Sequence, residues 1–146
     1  MFVRNSTLIL AISILFLNCK TNQRIDGKQH GVWITQFPLD SSNNKLLYKS
    51  KEVFTMGIPI RTWKYYMDGK ITRKEKYKKD LSAQVTFYHE NGKIEKKGKT
   101  KIQISDKEVH WFYDGPWNFF DETGKQTKIV HYNFGLAMKT DSIFIK

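Results

Sequence analysis

The sequence predicts an all-β fold: an elongated antiparallel meander of repeated β-hairpins that forms a single domain after a cleaved signal peptide. Three observations indicate this fold. One pattern of residues occurs three times along the 146-residue chain. Each copy consists of large aromatic residues followed by a polar turn with glycine, which is typical of hairpins. Beyond the N-terminus, no stretch carries the apolar stripe of an amphipathic helix.

The repeated pattern is clearest when the copies are aligned on the turn glycine. They read RTWKYYMDGKI from residue 61, VTFYHENGKI from residue 85 and WNFFDETGKQ from residue 117. The corresponding structural positions are Trp63, Val85 and Trp117, then Tyr65, Phe87 and Phe119, then Gly69, Gly92 and Gly124. A weaker copy earlier in the chain has Trp33 in the first position. We therefore expect a fold in which one structural unit is repeated.

Each copy has the composition of two strands joined by a turn. Aromatic and β-branched side chains fit a pleated surface, and glycine adopts a positive φ in a tight turn without steric cost. Because side chains alternate between faces, Trp63 and Tyr65 share one face, which we expect to be the core. The opposite face then carries Tyr66, Tyr88 and Phe120, one ring from each copy. Two interpretations stay open: this face binds a ligand, or loops and the 100–115 segment cover it.

The third copy follows the second at a greater distance than the second follows the first. The additional residues lie between positions 99 and 115 and include the stretch KIQISDKEVHWFYDG. Their alternating character and polar centre predict an additional hairpin that turns at Ser105, Asp106 and Lys107.

The N-terminus has the character of an export signal. Arg4 is followed by an apolar run from Leu8 to Leu17, broken only by Ser13. This run is shorter than the about 20 residues that a transmembrane helix needs, and its length is typical of a signal peptide. The single cysteine, Cys19, lies two residues after the run ends and has no intrachain partner for a disulfide.

The residues LFLNC, which end at Cys19, resemble a bacterial lipobox. The resemblance implies cleavage before Cys19 and attachment of lipid to its sulfur. We therefore expect a lipoprotein signal peptide over 1–18, a lipidated cysteine and polar tether over 19–29, and a repeat domain over 30–146. The expected location is the bacterial cell envelope, at the outer membrane in preference to the inner, with the domain facing the periplasm or the cell surface.

The hairpin copies resemble MORN-like (MORN-variant) repeats, in the form found in bacterial proteins labelled YwqK-type antitoxins. The features that carry the resemblance are Gly-x-Trp, an aromatic pair, a polar turn and Gly-Lys. Gly31-Val32-Trp33 and Gly115-Pro116-Trp117 match the first feature, whereas Arg61 and Ala83 replace the glycine in the two copies between them. The resemblance implies a meander of hairpins in which each packs on the next.

The charge of the chain favours anionic partners. There are 25 basic against 14 acidic residues, a net charge of +11, which attracts membrane headgroups, nucleic acid or acidic glycans. The lysines are scattered along the sequence, so we expect a diffuse field that serves solubility in preference to a concentrated stripe. No nucleic-acid-binding motif is present, and we expect no nucleic-acid partner.

No constellation of catalytic residues stands out. The four histidines are His30, His89, His110 and His131, and none has a partner at metal-ligand spacing. The sequence also lacks a nucleophile elbow and a glycine-rich phosphate loop. We therefore expect no enzyme, no metal and no cofactor, but a non-enzymatic, lipid-anchored envelope protein. Its expected partners are the membrane, through lipid on Cys19, and a protein or envelope component. The alternative is an antitoxin-like protein that neutralises a toxin by binding it.

Overall fold

The computed structural model describes residues 21–38, 47–104 and 108–143, which form one antiparallel sheet of eleven strands. The strands are β1 (Gln23–Ile25), β2 (Lys28–Pro38), β3 (Leu47–Thr55), β4 (Ile58–Pro59), β5 (Thr62–Met67), β6 (Lys70–Tyr77), β7 (Ala83–Tyr88), β8 (Ile94–Ile104), β9 (Val109–Phe120), β10 (Gln126–Asn133) and β11 (Leu136–Ser142). Strands pair in chain order, except that β4 pairs only with the end of β3. The described residues contain no helix. The predicted all-β meander is confirmed.

The sheet begins earlier than the sequence indicated. Strand β1 and the start of β2 lie within the polar stretch that we expected to be a tether, and Asp26 and Gly27 turn the chain between them with φ of +48° and +73°. The Asn22 side chain accepts a hydrogen bond from the Ile34 amide at 2.6 Å and donates one to the Ile34 carbonyl at 2.9 Å. Strand pairing therefore starts before residue 30, within the stretch that we expected to be a tether. The pairing of β1 with β2 satisfies backbone groups that a polar tether would leave to water.

The three predicted turn glycines all have positive φ, as expected. The values are +76° at Gly69, +81° at Gly92 and +89° at Gly124. In the first hairpin Asp68 also has positive φ (+46°), the geometry of a two-residue type I′ turn. The other two turns are longer, and each is closed by a backbone hydrogen bond of 2.9 Å. The Gly92 amide donates to the His89 carbonyl, and the Gly124 amide donates to the Asp121 carbonyl. Glycine is required because a Cβ at such φ is strained.

A β-bulge recurs opposite the aromatic pair of each of the three clear copies. The register places Tyr65 opposite Arg73 but Tyr66 opposite Ile71, so Thr72 is an extra residue. Glu95 and Thr127 are the extra residues of the next two hairpins. The bulge keeps the two rings of each pair on opposite faces while the second strand gains one residue. The repetition seen in the sequence is thus a repetition of backbone geometry.

The tryptophans of the repeats join neighbouring strands by hydrogen bonds as well as by packing. The Nε1 atoms of Trp33, Trp63 and Trp117 donate to the carbonyls of Gln23, Val53 and Lys99, at 3.1, 2.9 and 3.0 Å. In each case the acceptor lies on the strand that precedes the tryptophan in the sheet. A buried indole N–H needs such a partner, so the bond explains why tryptophan suits this position.

The residue two before each of these tryptophans has a left-handed backbone. Its φ is +76° at Gly31, +61° at Arg61 and +71° at Gly115. Arg61, which departs from the glycine of the other copies, therefore adopts the conformation that glycine favours. A left-handed residue with a side chain is strained by roughly 1–2 kcal/mol.

The core lies on the face that carries the tryptophans, which we call the tryptophan face. Trp117 is fully buried, and Val85 and Ala83 pack against it. The expected core position is thus confirmed for Trp117 and Tyr65. Trp63 is only half-buried, with its ring centroid 4.7 Å from those of Phe54 and Tyr77. In a single-layer sheet each tryptophan is covered only by its neighbours on the same face, so burial is deepest where these neighbours are most numerous.

Cations and aromatic rings alternate along one cross-strand row of the tryptophan face. The row runs through Tyr65, Arg73, Phe87, Lys96, Phe119 and Lys128, which face one another in register on six consecutive strands. The Arg73 guanidinium lies 3.8 Å from the Tyr65 ring centroid, and Lys96 Nζ lies 4.5 Å from that of Phe87. These cation–π contacts cover ring faces that no second layer shields.

The antiparallel pairing predicted between 99 and 115 is present, but it adds no strands. It is formed by the ends of β8 and β9, which continue through this region and pair as far as Ile104 opposite Val109. The predicted turn at Ser105, Asp106 and Lys107 lies outside the described residues. Alternation alone does not show whether an insertion lengthens existing strands or adds new ones, because both have the same period of two.

Candidate functional site

Tyr66, Tyr88 and Phe120 lie on the face opposite the tryptophans, as the alternation predicted. Tyr66 pairs with Lys49 on one side and Ile71 on the other, Tyr88 pairs with Ile94, and Phe120 pairs with Gln126. All three rings are half-buried. The face that they share holds most of the sheet's lysines, and we call it the lysine face.

The lysines form rows that run across the strands. In the central row Lys51 lies directly opposite Lys64, and Lys64 lies directly opposite Lys74. Thr86 follows on β7, and Lys97 and Asn118 follow on β8 and β9. The lysine face as a whole carries Lys49, Lys51, Lys64, Lys74, Lys76, Lys97, Lys99 and Lys101. Like charges directly opposite one another destabilise a sheet, so this arrangement opposes folding.

Most of these lysines have no acidic partner. Asp114 lies 3.6 Å from Lys99 Nζ and 3.1 Å from Lys101 Nζ and accounts for those two. Among the described residues, no ion pair joins a carboxylate to the ammonium groups of Lys49, Lys51, Lys64, Lys74, Lys76 or Lys97. Apart from Lys99 and Lys101, the lysines of this face therefore carry positive charge without an ion-pair partner in the part of the chain that the structure describes.

The aromatic row borders the lysine row on the side nearer the turns. Tyr66 lines a groove of about 480 Å³ together with Lys49, Lys51 and Ile34. Tyr88 lines a second groove, of about 310 Å³, with Ile71. Lys97 Nζ lies 5.3 Å from the Phe120 ring centroid. Within the described part of the chain, the rings of Tyr66, Tyr88 and Phe120 make no contact with one another. They are therefore separate apolar groups spaced along the row.

A third groove opens further along the same face, between β7, β8 and β9. It has a volume of about 460 Å³ and is lined by Gln84, Lys97, Lys99, Asp114, Gly115, Pro116 and Asn118. Its walls therefore combine ammonium groups and amide groups with the Asp114 carboxylate. The ammonium and amide groups donate hydrogen bonds, and the amides also accept them.

The tryptophan face contains a compact polar cluster of a different kind. Glu75 is buried, its Oε2 accepts a hydrogen bond from the Tyr77 hydroxyl at 2.7 Å, and its Oε1 lies 3.0 Å from Arg73 Nε. That Arg73 contact is an ion pair outside hydrogen-bond geometry. Burial, with the Glu75 charge as a second cause, raises the pKa of Tyr77 and of Tyr65. Glu75 thus joins Tyr77 by a hydrogen bond and Arg73 by an ion pair within the core face, which is a structural arrangement more than a site open to a ligand.

Two further sequence expectations concern the membrane anchor and the binding of metal ions. Cys19 and the signal segment lie outside the described residues. Residues 21–38, 47–104 and 108–143 contain neither a helix able to cross a membrane nor a cluster of side chains arranged to hold a metal ion.

The lysines of the strands are less scattered than the sequence indicated, although Lys96 and Lys128 lie on the tryptophan face. Lysines two apart in one strand, such as Lys74 and Lys76, point to the same face. Strand pairing places Lys64 directly opposite Lys74, and it places Lys99 in line with Lys76 on the other side of β7. The sequence signal was present as Lys-x-Lys at 49, 74, 97 and 99. Lys51 and Lys64 were missed because their relation to Lys74 depends on cross-strand register.

Comparison of the chain with protein-family models, with curated proteins and with solved structures finds no match.

Proposed function

We propose that this chain is a non-enzymatic binding protein of the bacterial cell envelope, built from MORN-like repeats and held at a membrane by lipid on Cys19. The observation that carries the proposal is the lysine face. It combines three half-buried rings with a row of lysines that form no ion pair within residues 21–38, 47–104 and 108–143, and it lies opposite the tryptophan face. Uncompensated like charges on neighbouring strands weaken the fold, and a partner that supplies negative charge removes this penalty.

The anchor is supported by the N-terminal sequence. The apolar run from Leu8 to Leu17 and the lipobox-like LFLNC place Cys19 where a lipidated cysteine would stand. A lipid chain gains about 0.8 kcal/mol for each buried CH₂. Lipid would therefore hold the protein at the bilayer, and the outer membrane is the favoured one. The lysine face would then be free to bind an envelope component or a protein.

Metabolic labelling with a palmitate analogue and fractionation of cells test the anchor. We expect label on the parent chain in the membrane fraction and no label on Cys19→Ala. A labelled Cys19→Ala variant would refute lipidation at this residue. Recovery of the parent chain in the soluble cytoplasmic fraction would refute the envelope location and favour the antitoxin-like alternative.

Binding of purified full-length Cys19→Ala protein to washed cell envelopes tests the face. Replacing Tyr66 and Tyr88 together by serine is expected to reduce the bound fraction. The matched control is Phe37→Ser, because Phe37 is an exposed ring that points to the tryptophan face opposite Tyr48. Equal loss in both variants would show that binding does not use the lysine face.

A further inference from the structure

We propose that the lysine face binds a linear acidic polysaccharide, of the uronic-acid type, that lies across the strands along the central lysine row. This inference rests on the proposed envelope function, since it names the ligand class of the same face. The argument depends on the length, the twist and the chemical composition of the row.

The row is too long for a small ligand. It passes from Lys51 on β3 to Asn118 on β9, through one residue of every strand between them. Neighbouring strands lie about 4.8 Å apart, so the five steps span about 24 Å. An extended polymer can contact the whole row at once, and many weak ionic contacts then add up along its length.

The shape of the sheet favours a linear polymer over a bilayer. Adjacent strands of a sheet rotate by about 20–25° relative to one another, so five steps turn the row through roughly 100°. A flat membrane can meet only a few strands of such a surface. A chain of sugars with a bond between each pair of rings can follow the twist.

The side chains between the lysines suit sugars. Thr86 separates Lys74 from Lys97 in the central row, and Gln84 separates Lys76 from Lys99 in the adjacent row. Asn118 ends the charged part of the central row, where its Oδ1 accepts a hydrogen bond from the Gln126 side chain at 2.9 Å. Hydroxyl and amide groups exchange hydrogen bonds with sugar hydroxyls, while ammonium groups bind carboxylates. A uronic-acid polymer presents both kinds of group on every ring.

The rings are less suited to nucleic acid. Sequence-independent binding of single strands requires open aromatic faces on which successive bases stack. On the lysine face, Tyr66, Tyr88 and Phe120 are half-buried, and Lys97 lies over the face of Phe120. At Phe120 the Lys97 ammonium group therefore occupies a ring face on which a base would stack.

The test measures binding of the purified full chain, in detergent, to fluorescently labelled alginate oligosaccharide, a linear polymer of uronic acids. Single-stranded DNA of equal charge and a neutral glucan of equal length are the comparison ligands. We expect the tightest binding to alginate and a decrease in affinity as salt rises.

Two triple variants with the same change in net charge locate the site. Lys51→Gln, Lys64→Gln and Lys74→Gln together remove the centre of the row, and we expect alginate affinity to fall by about tenfold or more. Lys78→Gln, Lys79→Gln and Lys125→Gln remove three exposed lysines in turns outside the row. We expect this control to lose about twofold or less, since exposed charges outside the site act only through a screened field.

The melting temperature separates a binding role from a structural one. Because the row lysines repel one another, their replacement is expected to leave the melting temperature unchanged or to raise it. Lower stability of the row variant, equal alginate affinity of the two triple variants, or tighter binding of DNA than of alginate would overturn the inference. Cell fractionation tests the envelope location independently of alginate binding. Failure of the polysaccharide inference is therefore distinguishable from failure of the proposed function.

Discussion

The indole of Trp117 lies directly against the backbone of Gly98 on the neighbouring strand. A Cβ placed on Gly98 would stand 2.3 Å from Cδ2 and 2.4 Å from Cγ of the indole, which is closer than non-bonded carbon atoms approach in proteins. Trp117 is completely buried, and Tyr113 stacks on it with ring centroids 3.9 Å apart. The indole is therefore held between a ring and a strand that has no side chain at the point of contact.

Gly98→Ala is expected to lower the free energy of unfolding by about 3 kcal/mol, because Trp117 has no space into which it can move. Urea unfolding monitored by circular dichroism measures the change. The double variant Gly98→Ala, Trp117→Phe should lose less than the sum of its single changes, since the smaller ring gives room to the methyl group. Additive losses would show that the two residues do not press on each other.

Arg61→Gly is expected to raise the free energy of unfolding by about 0.5–1 kcal/mol, because glycine relieves the left-handed strain but also gains freedom in the unfolded chain. The matched change is Gly115→Ala, at the equivalent position of another copy. No atom lies within 4 Å of the added Cβ there, so the expected loss of about 1 kcal/mol arises from backbone strain alone. Thermal melting of the two variants measures both effects. A destabilised Arg61→Gly protein would contradict this account of the repeat.

Glu75→Ala is expected to lower the free energy of unfolding by about 3 kcal/mol, because it leaves the Tyr77 hydroxyl and the Arg73 guanidinium without their shared partner. The comparison is Asp141→Ala, which removes an exposed carboxylate lying 2.7 Å from Lys139 Nζ. That exposed pair is solvated, so little change in stability is expected. Equal losses in the two variants, measured by urea unfolding, would indicate that burial of Glu75 does not determine its contribution.

Glu52→Gln is expected to stabilise the protein at neutral pH. Burial, chiefly, and the nearby Glu75 charge raise the pKa of Glu52 above its ordinary value of 4.5. Between the unfolded and folded pKa values the folded state holds more protons, so this carboxyl reduces stability as pH rises through that interval. The difference in melting temperature between variant and parent should therefore be present at pH 7 and disappear below the ordinary pKa. Glu90→Gln, in an exposed turn, is the control. A difference that does not change with pH would refute the assignment.

Local patterns in the sequence were sufficient for the fold class, the faces and three of the turns. The alternation of Tyr65 with Tyr66 assigns their faces because the period of a strand is two, whatever lies beside it. Gly69, Gly92 and Gly124 mark turns because positive φ is a property of single residues. The two-residue turns at Met56-Gly57 and Phe134-Gly135, with positive φ at both residues, were not predicted. Their first residues are apolar, so only the glycine carried a turn signal.

Relations between strands were decided only by the tertiary structure. Which lysine lies opposite which depends on register, and register depends on turn lengths and on the bulges at Thr72, Glu95 and Thr127. A shift of one residue would have moved Lys64 to the tryptophan face, so composition and spacing along one strand did not determine the lysine row. The fit of Trp117 on Gly98 has the same origin, because it joins residues on two strands. The sequence by itself thus determined the repeated unit, and the pairing of those units determined the surface on which the proposed function depends.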